Sequence, residues 1–195
     1  MRSIKNEKNL TNKLILLRLD LNVPLNQGKI SDSTRIDKIL PTLNFLIHHK
    51  TKIIILSHIG RPKGKIVDEL SLKPIKEDLQ QKLKLKVKLI KENIFKIKNK
   101  DFFNDFDEQI LILENIRFYA EEEKNDHNFA NHIASLGDIY VNDAFSCSHR
   151  EHASIHQISK FHKPTPIRFM KMCVGKLVTS LHRIKDKEFG NEKVS

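Results

Sequence analysis

The strongest constraint on this chain is a series of short apolar runs in which hydrophobic residues stand side by side instead of alternating with polar ones. "KLILLRLD" (13–20), "KIIILS" (52–57), "QILILEN" (109–115) and "DIYVND" (138–143) have this character, and "LKVKLI" (85–90) is a further short candidate. A strand with one wet face shows polar residues at every second position. A strand covered on both faces has no need of them and reads as continuous Ile, Leu and Val. Between these runs lie stretches with helical spacing. In "DSTRIDKILPTLNFLIHH" the apolar positions are Ile36, Ile39, Leu40, Leu43, Leu46 and Ile47, behind Asp32, Ser33 or Thr34 as N-cap. Pro41 is predicted to kink that helix or confine it to its first turns. "SLKPIKEDLQQKLK" predicts a second helix capped by Ser71 with Pro74 in its first turn, and "NDHNFANHIASLG" a third that stops at Gly137. Alternating buried strands and amphipathic helices define an α/β fold, a three-layer α/β/α arrangement around a mostly parallel sheet.

In such sheets ligands settle in the crevice beyond the carboxyl ends of the strands. The unusual residues of this sequence fall there. Asp20 and Asn22 follow the first strand, His58 and Arg61 the second, Arg117 the fourth, and His149 and Arg150 come shortly after the fifth. Arg35 stands at the start of the helix that follows the first strand. Guanidinium groups cannot shed their protons, so four arginines on one rim repel unless an anion or a carboxylate neutralises them. Their planar forks match the oxygens of phosphate or carboxylate, and helix N-termini at the same rim add unpaired N–H groups. A small, multiply charged phosphorylated acid is the natural guest. The competing reading pairs each arginine with a neighbouring carboxylate such as Asp20, Glu114 or Asp143.

The net charge of +11 raises nucleic acid as a partner. Much of the lysine, however, sits in runs such as "KLKLKVKLIK" (82–91), which read as the solvated edges of a strand, and nothing resembles a recognition helix, an aromatic RNA platform or a zinc finger. No nucleic-acid partner is expected. No window approaches the roughly 18 apolar residues of a membrane span. The polar start and the two cysteines without metal spacing point to the cytoplasm. "GRPKGK" is not a phosphate loop, because three residues, not four, separate Gly60 from Gly64 and Ile66 follows Lys65. His149, His152 and His156 share one face if their stretch is helical. Without a metal-like pattern of Cys or Glu partners they predict no metal site, and Cys147 reads as a small packed residue.

Taken in order, "LLRLDLNVPL", "DSTRIDKILPTL", "LSHIGRPKG", "SLKPI", "LENIRFY", "NDHNFA" and "YVNDAFSCSHREHAS" resemble the N-terminal, phosphoglycerate-binding domain of phosphoglycerate kinase, over roughly residues 10–161. That resemblance implies a Rossmann-like domain of a two-domain cytoplasmic glycolytic kinase. Such an enzyme moves a phosphoryl group between 1,3-bisphosphoglycerate and ADP, with magnesium on the nucleotide. By motif, Asp20 and Asn22 are similar to contacts of the glycerate hydroxyl and carboxylate. Arg35 resembles the catalytic arginine that also meets the transferring phosphoryl group, and His58, Arg61, Arg117 and Arg150 resemble the basic patch around the 3-phosphate. Leu21, where the family commonly has an aromatic residue, and "SCS" (146–148), where Gly-Thr-Ala is commoner, depart from the pattern.

Residues 162–195 are read as a divergent tail with one helix over "MCVGKLVTSLHRI", and no counterpart of the family's glycine-rich nucleotide site is visible. The expectation is therefore a C-terminally truncated phosphoglycerate kinase: a domain over residues 1–161 that binds 3-phosphoglycerate or 1,3-bisphosphoglycerate. It is expected to be monomeric and off the membrane. Mg-ATP or Mg-ADP serves the full-length family, and no cofactor is expected in this chain, which is inactive alone. Two other readings stand beside it: a fragment complemented by a separate nucleotide-binding half, and a non-catalytic basic domain.

Overall fold

The computed structural model describes residues 4–7, 9–161 and 168–171; for Asn6, Phe145 and residues 168–171 it describes the backbone alone. Strand β1 (Leu14–Leu19) is buried along its whole length, as its run of Ile and Leu requires. A small hairpin, β2 (Leu25–Asn26) and β3 (Lys29–Ile30), leads into α1 (Thr34–His48), then β4 (Lys52–Leu56), α2 (Lys73–Leu83), β5 (Val87–Ile90) and β6 (Ile110–Leu113). The short α3 (Ala120–Glu123), α4 (His127–Ser135), β7 (Ile139–Asp143) and β8 (Arg168–Lys171) complete the described chain. The main sheet has the order β5-β6-β4-β1-β7-β8 and every pairing in it is parallel. Strand β8 comes from the stretch set apart above as a tail; the helix read over residues 172–184 lies outside the described residues.

Successive side chains of a strand point to opposite faces, and the core divides accordingly. Ile15, Leu17, Ile53, Ile55 and Ile112 pack with Ile36, Ile39, Leu43 and Leu46 of α1 and Ile75 and Leu79 of α2. Leu14, Leu16, Ile54, Leu56, Leu111 and Tyr140 pack on the other side with Phe129, Ala130, Ile133 and Ala134 of α4 and with Phe103. These are the three layers. By the same alternation Arg18 points into the α4 side, where it is completely buried.

Three local expectations are corrected. Helix α1 runs through Pro41 without ending. A mid-helix proline costs about 3 kcal/mol, and the apolar face on both sides of it (Ile36, Ile39, Leu43, Leu46) is buried and holds the helix in place. The N-cap position of α2 falls on Leu72, one residue after Ser71; the Ser71 hydroxyl accepts the Lys73 N–H at 3.2 Å and donates to Glu114 Oε2 at 2.8 Å, and Glu114 Oε1 accepts from the Leu72 N–H at 2.8 Å. A carboxylate from the end of β6 thus serves the helix terminus from across the fold. In the lysine-rich run only Val87–Ile90 is strand, since α2 continues through Leu83 and Lys84 turns the chain with φ of 54°.

Candidate functional site

The loops beyond the carboxyl ends of β1, β4, β6 and β7 meet and are tied together by hydrogen bonds. Asn22, after β1, accepts the Gly60 N–H at 2.9 Å, which joins its loop to the turn after β4. Gly60 takes φ of +64°, a conformation that glycine adopts without steric cost. Its carbonyl accepts from Arg117 Nη1 at 2.9 Å, and the Arg117 carbonyl accepts the Gly64 N–H at 3.1 Å. Gly64 has φ of +75°, and a Cβ there would lie 2.9 Å from the Ala120 Cα, so neither the turn nor α3 leaves room for another residue. Asn115 closes the assembly by donating to the carbonyls of Ile59 and Leu70, at 2.8 and 2.9 Å.

Asp20 sits at the end of β1, 7% exposed. It accepts from Arg35 Nη1 and from the Ser146 hydroxyl, and its other oxygen accepts the Asn22 N–H at 3.3 Å. Arg35 is therefore aimed across the mouth of β1 from the first turn of α1 while remaining about half exposed. The Ser146 contact gives the "SCS" departure a definite use.

The remaining cations gather on the other side of His58. Arg117 is 2% exposed and has one carboxylate neighbour, Glu123, at 3.5 Å from Nε without hydrogen-bond geometry. Its Nε and Nη2 are both buried and without a hydrogen-bond partner. Burial holds the Arg117 guanidinium below its usual pKa, with Arg150 and Arg18 adding to the effect and Glu123 opposing it. His58 is 3% exposed; burial above all, and then the charges of Arg18, Arg117 and Arg150, push its pKa down to about 2. Glu114 and Asp143, the carboxylates offered as partners by the competing reading, are engaged elsewhere, with Ser71 and with Thr42. The structure thus brings Asp20, Asn22, Arg35, His58, Arg117 and Arg150 together. Arg61 is exposed on the Gly60–Gly64 turn and makes no ion pair among the described residues.

Four residues that the sequence reading passed over underlie this rim. Arg18 Nε donates to Ser154 Oγ at 2.9 Å, Ser154 Oγ donates to Glu122 Oε1 at 2.6 Å, and the Ser154 N–H donates to Glu122 Oε2 at 2.9 Å. The Tyr140 hydroxyl donates to the Ser154 carbonyl. Glu122 is fully buried and its pKa is raised by that burial, against the pull of Arg18 and the Ser154 hydrogen bonds. A charged residue inside "LILLRLD" was the one signal in the sequence, because an arginine in a strand buried on both faces needs partners.

The histidine trio does not form. Residues 153–156 are turns, His149 is exposed, and His156 Nδ1 is 2.9 Å from Asn125 Nδ2. Asp20, His58 and Cys147 do lie with one ligand atom each within 4.8 Å of the others. They do not fit magnesium, which asks for an octahedron of oxygens. The carboxylate is already bound to Arg35, burial raises the pKa of the Cys147 thiol, and the surroundings are cationic.

Neutral, buried His58 and His152 make stability depend on pH. Burial, with Arg117 next, lowers the pKa of His152 to about 4. The native state binds fewer protons than the unfolded state below about pH 6.5, so stability is full above that value and declines as pH falls. Urea unfolding in an anion-free buffer is expected to show a loss from pH 6.5 to 5 of up to about 2 kcal/mol for His58. His58→Gln should remove that share of the slope; an unchanged slope contradicts the neutral assignment.

A parallel α/β domain with cations clustered at its strand ends has chemistry suited to a small oxyanion. The sequence pattern of the family described as phosphoglycerate kinase matches residues 5–188, well past the 161 at which the motifs end. The chain belongs to the phosphoglycerate kinase family. It is 44% identical over 177 residues to the phosphoglycerate kinase of Orientia tsutsugamushi (strain Ikeda), which covers 91% of this chain and 43% of that protein. It is 52% identical over 153 residues to the enzyme of Wolbachia pipientis wMel, covering 78% and 38%. The structure of phosphoglycerate kinase from Coxiella burnetii superposes with a TM-score of 0.77 at 34% identity, over 94% of this chain and 44% of that one. The chain spans less than half the length of these relatives. The family uses Mg-ATP and binds phosphoglycerate substrates. Among the described residues no helix is long and apolar enough to cross a membrane.

Proposed function

We propose that this chain is the phosphoglycerate-binding half of a phosphoglycerate kinase, holding 3-phosphoglycerate or 1,3-bisphosphoglycerate while a nucleotide-binding half supplies Mg-ADP or Mg-ATP. The observation that carries the reading is Arg117: a buried guanidinium with two nitrogens that lack a hydrogen-bond partner, near Arg150 and bonded through Nη1 to the carbonyl of Gly60, the residue before Arg61. A buried charged donor without an acceptor is costly, and a phosphate supplies several acceptors at once. In this reading Arg61, Arg117, Arg150 and His58 hold the 3-phosphate, Asp20 and Asn22 face the glycerate hydroxyl and carboxylate, and Arg35 meets the transferring group. Asn22 has its carbonyl oxygen taken by Gly60, so it offers the substrate its amide N–H groups.

Phosphoryl transfer depends on placing two anchored substrates in line, and proximity is worth about 7–11 kcal/mol of barrier. The phosphoglycerate-holding half supplies one of those anchors, and turnover needs a nucleotide-binding half to supply the other. The chain works as a cytoplasmic monomer or beside a nucleotide-binding partner half, without membrane or nucleic acid.

Isothermal titration calorimetry tests this. The chain is expected to bind 3-phosphoglycerate weakly and to give no measurable heat with ATP. ATP binding as tight as that of phosphoglycerate contradicts the assignment.

A further inference from the structure

One buried cation, Arg18, lies beneath the rim. It is a guanidinium with no exposed surface, in the central strand, that touches a residue of the candidate site. Its fork has three directions and each is used. Nε donates to Ser154 Oγ, Nη1 donates to the carbonyl of Leu19 and, at 3.4 Å, to that of Leu56, and Nη2 lies 3.2 Å from His58 Nδ1. The last contact fixes a proton. Arginine carries donors only and does not deprotonate. His58 Nδ1 must therefore be the acceptor, and a ring that accepts through Nδ1 carries its single proton on Nε2. An imidazolium would turn a second N–H toward Nη2 and place two cations in contact inside the core.

We propose that Arg18 is a positioning residue that holds His58 as a neutral ring with its proton on Nε2, so that the site meets its anion with one fixed N–H donor and not with an imidazolium. The proposal rests on the reading of this rim as a phosphoglycerate site. The other groups around His58 agree with it. Arg117 and Arg150 repel a second positive charge from the loops after β6 and β7, as does His152. Asp20 and Cys147 come within 4.8 Å from the ends of β1 and β7. Asp20, the carboxylate that could draw a proton onto the ring, already accepts from Arg35 and Ser146. Arg18 in turn is held by Ser154, whose backbone N–H and hydroxyl are both fixed on Glu122. The orientation of a site histidine is thus set from a buried carboxylate of α3, on the side of the sheet that Arg18 faces. The rest of the cationic rim supplies net charge; His58 supplies direction.

The tautomer is readable in the whole chain. Long-range proton–nitrogen correlation spectra separate Nδ1–H, Nε2–H and imidazolium forms, and the His58 signals are identified by their loss in His58→Gln. At pH 7 the unliganded chain is expected to show His58 neutral with its proton on Nε2. In Arg18→Lys, which keeps the charge and loses the fork, His58 should become a mixture of tautomers and 3-phosphoglycerate affinity should fall about ten- to a hundredfold, the scale of one hydrogen bond to a charged group. An Nδ1–H ring or an imidazolium in the wild-type chain overturns the proposal without any variant having to fold. An unchanged tautomer and affinity in Arg18→Lys overturns the role of Arg18. If His58 has the expected form but 3-phosphoglycerate does not bind, the tautomer assignment stands and the phosphoglycerate reading of the rim falls.

Discussion

Replacing Glu122 by alanine is expected to lower the stability of the fold by about 3–5 kcal/mol, the range for leaving a buried charge uncompensated. Glu122 has no exposed surface and accepts both Ser154 donors, and Ser154 Oγ is the acceptor for Arg18 Nε. The truncation leaves the Ser154 hydroxyl and N–H without their acceptor and removes the carboxylate charge that lies near the buried Arg18. Native domains rest on only about 5–15 kcal/mol, so Glu122→Ala should unfold at a much lower urea concentration with an unchanged m-value. Glu122→Gln keeps the shape and one acceptor, so its loss should be nearer 1–3 kcal/mol, the usual range for an unsatisfied buried group. Equal, small losses in both variants would show that the Arg18 charge is neutralised by other means.

Arg35→Ala is expected to cut turnover by at least about a hundredfold, the scale of losing one electrostatic stabiliser, in a two-domain kinase that carries this sequence as its first half. The geometry supplies the reason. Arg35 reaches Asp20 across the mouth of β1 and is half exposed, on the open side of the site, whereas Arg117 is buried in the rim. A cation that meets charge developing only during transfer lowers the barrier; one that holds a phosphate already present strengthens ground and transition states alike. Phosphoglycerate affinity should change little in Arg35→Ala. In Arg117→Ala the order should be reversed, with affinity falling more than turnover. Steady-state kinetics together with calorimetry separate the two effects. Near-normal turnover combined with lost binding in Arg35→Ala contradicts this division of roles.

The layers were legible because runs such as "KIIIL" and "LILL" have one structural use, a strand covered on both faces. The site followed from the same rule. If the strands are parallel, the residues after each of them converge, and Asp20, Asn22, His58, Arg117 and Arg150 do so. What stayed hidden depends on partners far away in sequence. Arg18 and Ser154 are 136 residues apart, and no local pattern announces that "AEEEK" contributes its second glutamate to the core. The cap of α2 was misassigned for a similar reason, since Glu114 reaches it from 42 residues away. Pro41 was expected by its local chemistry to kink α1 or confine it to its first turns, and with the apolar face buried on both sides of it the helix runs on to His48.

The most direct test of the account is to map 3-phosphoglycerate onto the chain by backbone amide shifts at about 150 mM salt. Perturbations are expected at Asn22, Gly60, Gly64, Arg117 and Arg150, saturating together, and they should be absent in Arg117→Met. Shifts centred instead on the lysine-lined groove between α2 and β5, at Lys73, Lys76, Lys86 and Lys88, would show a basic surface that attracts anions in general and would contradict a built phosphoglycerate site at the strand ends.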